Sequence, residues 1–380
     1  MLCARVRRQM PADGADVAVV GGGIVGLAIA RALGERGAAV VVCERTAIGS
    51  GQSGIQPGGV RRQWGTAIGC RLAGEAFAFW QEAEARLESP VELGLRAGGY
   101  LFVAHSEQTL ERLCANVSVQ NVEGVPSRIV DPAEASELLP GLRTETLVGA
   151  AWCGEDGYFD RPQAVVEAFA RGIEVRLGEV TELRAVADGW EVCSASGVLA
   201  ANKVVLAAGV DSVPLAAAHG IALPIEREER HLFLSTRVAE RLVEPLVISA
   251  ERGFAAKHLA DGRVLASDLG ATGDAAGGAP RWRARVREGI RELLPVLEYV
   301  DFPILASGEY DVTPDRQPIL GVLRDGLYVA AGFSGHGFMI APAVARIVAD
   351  AIEGRHDPVL DVLDLARFDE GRLVPEPQVV

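Results

Sequence analysis

Residues 16–44 read DVAVVGGGIVGLAIARALGERGAAVVVCE, and within them Gly21–Gly26 match the pattern G-x-G-x-x-G. No other stretch constrains the fold as tightly. An apolar, β-branched run, Ala15–Val20, precedes the glycines and predicts a buried strand. Ile24–Arg36 has helical periodicity and stops at Gly37. Ala38–Cys43 then predicts a second buried strand, ending at Glu44, 23 residues after Gly21. Each glycine has a distinct task in a dinucleotide site. Gly21 makes the tight turn, Gly23 lets a pyrophosphate approach the backbone, and Gly26 lets helix and strand pack closely. The helix N-terminus at Ile24 and Val25 faces the phosphates, and Glu44 is placed to accept hydrogen bonds from a ribose diol. The motif does not separate FAD from NAD, but an acid at position 44 argues against a 2′-phosphate and so against NADP.

The chain has 380 residues, which suits two domains or one large domain with a satellite. Its 49% hydrophobic and 23% charged residues are ordinary for a globular protein. A formal net charge of −14 repels phosphate backbones and argues against nucleic acid as a partner. An anionic substrate then needs a local cationic pocket. No apolar run reaches the roughly 18 residues of a membrane span. Residues 1–16 lack the apolar core of a secretory signal, and residues 1–14 are expected to be mobile. The six cysteines are scattered without a C-x-x-C pair, which fits reduced thiols in a cytoplasmic protein and indicates no metal site.

Later segments return to the nucleotide. GSGQSGIQPGGVRRQW (Gly49–Trp64) is too polar and glycine-rich for core. It reads either as a flexible surface loop or as a strip along the cofactor, with Arg61 and Arg62 at its end. Ala67–Leu87 predicts an amphipathic helix, and IEVRLGEV (Ile173–Val180) another strand of the nucleotide sheet. NKVVLAAGVDS (Asn202–Ser212) ends a strand in Ala207-Ala208-Gly209, small enough for close backbone approach. Near the far end, AGFSGHGFMI (Ala331–Ile340) surrounds one histidine with three glycines and leads into an apolar, helical run.

Four blocks resemble the superfamily of FAD enzymes that includes D-amino-acid oxidase, glycine oxidase and sarcosine oxidase. They are VVGGGIVGLAIARAL, GSGQSGIQPGGVR, VVLAAGVDS and GEYDVTPDRQPILG…LYVAAGFSGHGFMIAPAVA. The segments AGGYLFVAHSEQTLERL, GEDGYFDRPQAVVEAFARG and RFDEGRLVPEPQVV resemble the sarcosine oxidase and amino-acid dehydrogenase branch. The resemblance spans nearly the whole chain. It implies an α/β fold in which a Rossmann-like FAD-binding domain (15–85, 145–215 and 305–380) interleaves with a mixed-sheet substrate domain (86–144 and 216–304). It also implies which positions meet FAD. Besides Gly21, Gly23, Ile24, Val25, Gly26 and Glu44, these are Arg45, Gln52, Ser53, Gly58, Gly59, Val60, Val180, Ala208 and Gly209. From the last block they are Gly332, Gly335, His336, Gly337, Phe338 and Met339.

The resemblance folds Gly332–Ile340 onto the isoalloxazine ring, with a helix from about Met339 to Glu353 that carries Pro342 in its first turn. A reduced flavin carries negative charge at N1 and the C2 carbonyl. A helix N-terminus and bare amides at Gly335 and Gly337 stabilise that charge. His336 can be a general base or can orient the loop; the family's transfer of hydride from the substrate α-carbon to flavin N5 without a strong base favours the second role. For the substrate carboxylate, Arg61 matches an arginine beside the flavin. Lys257, in the hairpin Gly253–Gly270, is the second choice, where relatives often have Arg in a Tyr-x-Arg pattern that here reads Ala255-Ala256-Lys257. Tyr310 matches a tyrosine facing the substrate.

Three positions depart from sarcosine oxidases. Gly308 stands where their FAD-tethering cysteine lies, and Gly49–Trp64 has no histidine, so FAD is expected to be noncovalent. Met339 replaces a lysine of the helix-start loop, and Ala266 stands where their oxygen-activating lysine is placed. Asp268–Pro280 is expected to be a mobile loop before a helix Trp282–Leu294. The implied reaction oxidises the C–N bond of a small anionic amine, an amino acid or N-alkyl amino acid of the glycine, sarcosine, D-amino acid or proline type, to its imine. Oxygen or another acceptor then takes the electrons, and a partner subunit is compatible. The alternatives are a 2-hydroxy-acid oxidoreductase and a flavin-binding relay subunit without its own substrate.

Overall fold

The structure, a computed structural model, describes residues 14–377. Two large sheets dominate it. In the first, the strands Ala15–Val20, Val40–Glu44 and Glu174–Leu177 run parallel, in that spatial order, beside Gly197–Leu206. The far end of Gly197–Leu206 also pairs in parallel with Leu327–Ala331, which Ile319–Arg324 meets antiparallel. An antiparallel hairpin, Val180–Val186 and Gly189–Ser194, extends the near end. Ala15–Val20, Val40–Glu44 and Leu327–Ala331 are mostly buried, which explains their near-continuous apolar runs, whereas the edge strand Glu174–Leu177 is largely exposed.

The helix Ile24–Glu35 packs on one face of this sheet against the helix Gly337–Ile352. Ile24, Leu27, Ala28, Phe338, Ala341 and Val344 share one core. Each of the larger ones, Ile24, Leu27, Phe338 and Val344, is worth about 1.5–3 kcal/mol when fully buried. The packing brings residue 21 and residue 337 to the same end of the molecule, although more than three hundred residues separate them.

The second sheet has eight strands and is mostly antiparallel, in the order Ile304–Val312, Glu226–Arg237, Arg263–Asp268, Phe254–His258, Leu246–Ser249, Tyr100–Ala104, Gly149–Cys153 and Arg128–Val130. Its outer face packs on the helix Ala275–Leu293 through Trp282, Val286 and Ile290. Gly149–Cys153 and Ile304–Val312 lie in stretches that the sequence reading gives to the nucleotide half, and both pair in this sheet. A small sheet of Gly59–Val60, Gly157–Phe159 and Leu95–Arg96 lies between the two.

Several element boundaries move. One strand predicted over 173–180 is two, because Gly178 at φ 149° ends the parallel strand and Val180 opens the hairpin. The helix predicted over 67–87 breaks at Glu82 into Ala67–Gln81 and Ala83–Arg86. The loop expected over 268–280 is half helix. Asp274 caps a helix beginning at Ala275, accepting from the N–H groups of Ala276 (3.2 Å) and Gly277 (3.0 Å). The last long helix starts at Gly337 rather than Met339, so Pro342 sits in its second turn. The expectation for residues 1–14 lies, except for Gly14, outside the described residues. No described helix is long and apolar enough to cross a membrane.

Candidate functional site

A cavity of about 960 Å3 opens between the C-terminal ends of the parallel strands and the inner face of the second sheet. This is where open α/β sheets place their ligands. Val20, Gly21, Cys43, Glu44, Ala207 and Ala208 form its floor at one end. Residues spaced by two on the second sheet form the other wall, among them Arg230 and Leu232, Ala255 and Lys257, Leu265 and Ser267, and Gly308 and Tyr310.

The glycine turn is built as its sequence predicts. Gly21 has φ 115°, and a Cβ there would lie 2.4 Å from the Ala207 carbonyl oxygen. A Cβ on Gly26 would lie 2.1 Å from the Gly21 carbonyl oxygen, so the helix and the turn touch. Gly23 is different, since its nearest neighbour would be Ser53 Oγ at 3.3 Å. That side is open toward the cavity. The Glu44 carboxylate accepts from Gly22 N–H (2.8 Å) and Thr46 N–H (2.9 Å), which fixes it at the strand end. Ser53 Oγ accepts from Ile24 N–H (2.9 Å), so the loop itself takes the helix's first amide.

Of the residues expected to meet a cofactor, Gly21, Gly23, Ile24, Val25, Glu44, Arg45, Gln52, Ser53, Gly59, Val180, Ala208, Gly209, Gly335, His336, Gly337, Phe338 and Met339 line the cavity. Gly26, Gly58, Val60 and Gly332 do not. Gly26 is the helix–turn contact. Gly58, at φ 76°, lies against the Phe159 carbonyl oxygen, and Val60 pairs with Gly157 in the small sheet. Gly332, at φ 78°, donates its N–H to Asp311 Oδ2 (2.7 Å) and shapes the loop. Gly335 has a stricter reason than open access to a ring. Its φ is 89°, and a Cβ would fall 2.4 Å from the Tyr310 ring.

Four expected substrate-side residues, Arg61, Lys257, Tyr310 and His336, line this same cavity. Arg61 is 1% exposed and lies between the rings of Trp64 (5.2 Å) and Phe102 (5.6 Å). Its loop is braced by buried Asp156, which accepts from the N–H groups of Arg62 (2.9 Å) and Gln63 (3.3 Å). Arg61 Nη1 donates to the Gln63 carbonyl, and Nη2 meets His336 Nε2 at 3.3 Å. A guanidinium can only donate, so His336 Nε2 accepts and its proton sits on Nδ1. Nδ1 is buried and has no protein partner. Burial, then the Arg61 and Arg316 charges, hold the His336 pKa well below the usual imidazole value. The imidazole is therefore neutral, with Nε2 engaged by Arg61 and Nδ1–H left as a donor, an arrangement that suits the orienting role.

Lys257 is equally buried. Its Nζ donates to the Pro57 carbonyl and lies 3.8 Å from the Tyr158 ring centroid. Burial lowers its pKa to about 7, against a partial rise from Asp160. Ala266 does not face the cavity. It packs in the outer core with Ala256 and Phe233, and Leu265 and Ser267 take the inner face.

Sequence reasoning missed Tyr100, Gln56, Arg230 and Asp311, all of which line the cavity. Arg230 stacks over Tyr310 at 5.6 Å. Asp311 is 2% exposed, and burial raises its pKa to about 6. Alternation along Glu309–Tyr310–Asp311 would have sent Asp311 away from Tyr310's side. Only the fold shows that the 332–334 loop wraps it. Asp311 Oδ1 and Gln56 Nε2 are buried polar atoms without protein partners, like His336 Nδ1.

The profile of the family described as FAD dependent oxidoreductase matches residues 16–351. Glycine oxidase of Geobacillus kaustophilus is 28% identical over 370 residues, covering 93% of this chain and 96% of that protein. Sarcosine oxidase subunit beta of Rhodobacter capsulatus is 26% identical, covering 95% and 90%. The crystal structure of L-proline dehydrogenase from P. horikoshii superposes with a TM-score of 0.89 at 27% identity, over 95% of this chain and 100% of that one. The residues present fit such a cofactor. Gly23 leaves open the approach that a Cβ would narrow, Glu44 is fixed at the strand end, and Gln56 Nε2, Arg230 Nε, Asp311 Oδ1 and His336 Nδ1 are unpartnered buried atoms of lining residues.

Proposed function

Because the chain belongs to the family of FAD-dependent oxidoreductases, we propose that it oxidises the C–N bond of a small amino acid or N-alkyl amino acid to the imine. The observation that carries this reading is Arg61, a buried cation on the wall of the cavity in a protein of net charge −14. A guanidinium there matches a substrate carboxylate. Burial pulls the Arg61 pKa down, and nearby Glu376, Tyr100 and Asp156 oppose it; an arginine keeps its charge under such a load. Lys257, Arg230 and Tyr310 complete the same wall.

Bound FAD supplies a two-electron acceptor. The chain's part is to hold and orient. Glu44 would hold the ribose and the Gly21–Gly23 turn the pyrophosphate. His336 keeps Arg61 in place through Nε2, and its buried Nδ1–H would be free to donate to a bound cofactor. The helix beginning at Gly337 points its N-terminus at the cavity, where it would favour negative charge on a bound group. FAD is held without a covalent bond. Gly308 offers no thiol, and a Cβ there would lie 2.0 Å from Ile55 Cδ1. Acid precipitation should leave a colourless pellet and free FAD in solution.

The names of the relatives support an amine substrate, and a relative named as a subunit beta supports a partner chain. Five described cysteines are free, four of them buried, which supports a reducing, cytoplasmic setting. The test is anaerobic bleaching of the flavin with a panel of amino acids, N-methyl amino acids and 2-hydroxy acids. Bleaching by amines alone is the expected result. Bleaching by hydroxy acids alone, or by nothing, overturns the proposal. Repeating the assay in air tests whether oxygen takes the electrons.

A further inference from the structure

The segment Leu373–Glu376 runs back over the loop that carries Arg61. Glu376 is 4% exposed. Its Oε1 accepts from Gly65 N–H (2.7 Å) and its Oε2 from the Thr66 hydroxyl (2.8 Å). The segment is fastened from behind. Glu376 N–H donates to the Asp315 carbonyl (3.0 Å) and Val374 N–H to Asp315 Oδ2 (3.3 Å). Asp315 in turn holds fully buried Arg367 through Nε (2.8 Å) and Nη2 (3.0 Å). Gln317 closes the frame by donating to Thr66 Oγ1 (3.2 Å). Arg61 stands five residues from Thr66 with no regular secondary structure between them. Among the groups that act on the Arg61 charge, Glu376 does most to oppose its desolvation.

From this frame we infer that Glu376 is a positioning residue for substrate. It pins the Gly65–Thr66 turn and thereby fixes where Arg61 meets the substrate carboxylate. Thr66 also caps the helix Ala67–Gln81, accepting from Gly69 N–H (3.2 Å), so a purely structural role for Glu376 makes a distinct prediction: lost stability with an unchanged site. Positioning makes another. Anion binding weakens while the turnover of bound substrate is kept.

The inference rests on Arg61 as the carboxylate clamp, so the experiment includes Arg61→Ala. Flavin-loaded enzyme is titrated with acetate as a bare carboxylate probe and followed by the visible flavin spectrum. Steady-state kinetics use whichever amine bleaches the flavin. Glu376→Ala is expected to raise the acetate Kd and the substrate KM about tenfold, with kcat within about twofold and flavin content unchanged. Glu376→Gln keeps the shape and an acceptor for Gly65 N–H, and should return both constants to within about threefold of wild type. Gly65→Ala reaches the same end without touching Glu376. Its added methyl would lie 2.2 Å from Pro377 Cγ and displaces the segment, so it should reproduce the Glu376→Ala phenotype even if that variant fails to fold.

Wild-type acetate affinity in Glu376→Ala or Gly65→Ala overturns the inference. So does a Glu376→Gln variant as weak as Glu376→Ala, because charge rather than placement would then be operating. If Arg61→Ala leaves the acetate Kd unchanged, the clamp reading falls and takes this inference with it. If Arg61→Ala weakens acetate and Glu376→Ala does not, the inference alone falls.

Discussion

The two ends of the cavity are built from different materials. At the end built by Gly21–Gly26 and Glu44, proposed for the nucleotide, the contacts are backbone. A Cβ at Gly21 or Gly26 would fall within 2.4 Å of a carbonyl oxygen, and even Glu44 is held by two main-chain N–H groups. At the end proposed for the substrate the contacts are side chains delivered by separate elements. Arg61 comes from the small sheet's loop, Lys257 and Tyr310 from two strands of the second sheet, and His336 from the loop before the last long helix. A backbone site tolerates almost no change of shape and almost any change of exposed charge. A side-chain site should behave in the opposite way.

The largest effect expected from this contrast lies at Gly26. An alanine there drives a methyl to 2.1 Å from the Gly21 oxygen, and backbone cannot step aside as a flexible side chain can. Overpacking of this kind costs about 1–3 kcal/mol or more. Gly26→Ala should unfold at a markedly lower temperature than wild type, even stripped of FAD. Gly23→Val sharpens the point. Its nearest protein atom is Ser53 Oγ at 3.3 Å from the new Cβ, so the apoprotein should melt close to wild type while flavin content collapses. Equal melting losses in the two variants, or full flavin in Gly23→Val, would erase the distinction between packing glycine and ligand glycine.

Arg61 carries the next largest effect. A charged hydrogen bond to a carboxylate contributes roughly 1.5–3 kcal/mol, on the order of ten- to hundredfold. Arg61→Ala should lower kcat/KM by that factor with FAD still bound, and Arg61→Lys should recover only part of it. Should Arg61→Ala cost less than about twofold while Lys257→Ala costs more than tenfold, the clamp lies on the hairpin instead.

Lys257 gives a smaller, pH-dependent effect. Its folded pKa, about 7, lies below its usual value of 10.5. The ammonium is therefore charged below pH 7 and neutral above. A charge across the cavity is worth roughly 1 kcal/mol to a bound carboxylate, or about fivefold. The acetate Kd should rise about fivefold from pH 6 to 8.5, and this rise should shrink in Lys257→Met. Asp311, which ionises near pH 6 on the same wall, contributes a rise in the same direction that survives in the variant. For stability the sign reverses. The unfolded chain holds the Lys257 proton up to about 10.5, so burying this lysine costs most below pH 7, and the cost fades as pH climbs toward 10.5. Lys257→Met should remove that part of the pH dependence, and identical unfolding profiles would refute the burial argument.

The same division explains what could be read from the sequence. Gly21–Gly26 and Glu44 are legible because local spacing alone decides their geometry: a strand, a turn and a helix in immediate succession. Gly332–Met339 is legible only through resemblance, because its place beside Val25 depends on how two distant helices pack. Asp311 and Gln56 carried no signal. Asp311 is an acid that alternation turns away from Tyr310, and what buries it is a loop 21 residues further on. Glu376 sits in a segment that resembles relatives, but nothing in the order of residues says that its carboxylate reaches Gly65. Ala266 is matched to a lysine position through resemblance alone, and alternation along Arg263–Asp268 puts it on the outer face of its strand, away from the cavity.

The smallest effect expected is at Arg45, and it tests the backbone half from its weak side. Arg45 follows Glu44 directly and lines the cavity, and the resemblance makes it a cofactor contact. Its side chain is 54% exposed and pairs with Asp211 at 3.1 Å, itself 45% exposed. Solvent screens a pair of that kind to about 0–1 kcal/mol. If the nucleotide is held by amides and the fixed Glu44 carboxylate, removing one exposed guanidinium should change little. Arg45→Ala should weaken FAD by less than about threefold at physiological ionic strength. The measurement is the FAD dissociation constant of reconstituted apoprotein, taken at low and high salt. A loss above tenfold that persists at high salt would mean that a side chain anchors the nucleotide after all, and the contrast between the two ends of the cavity would no longer hold.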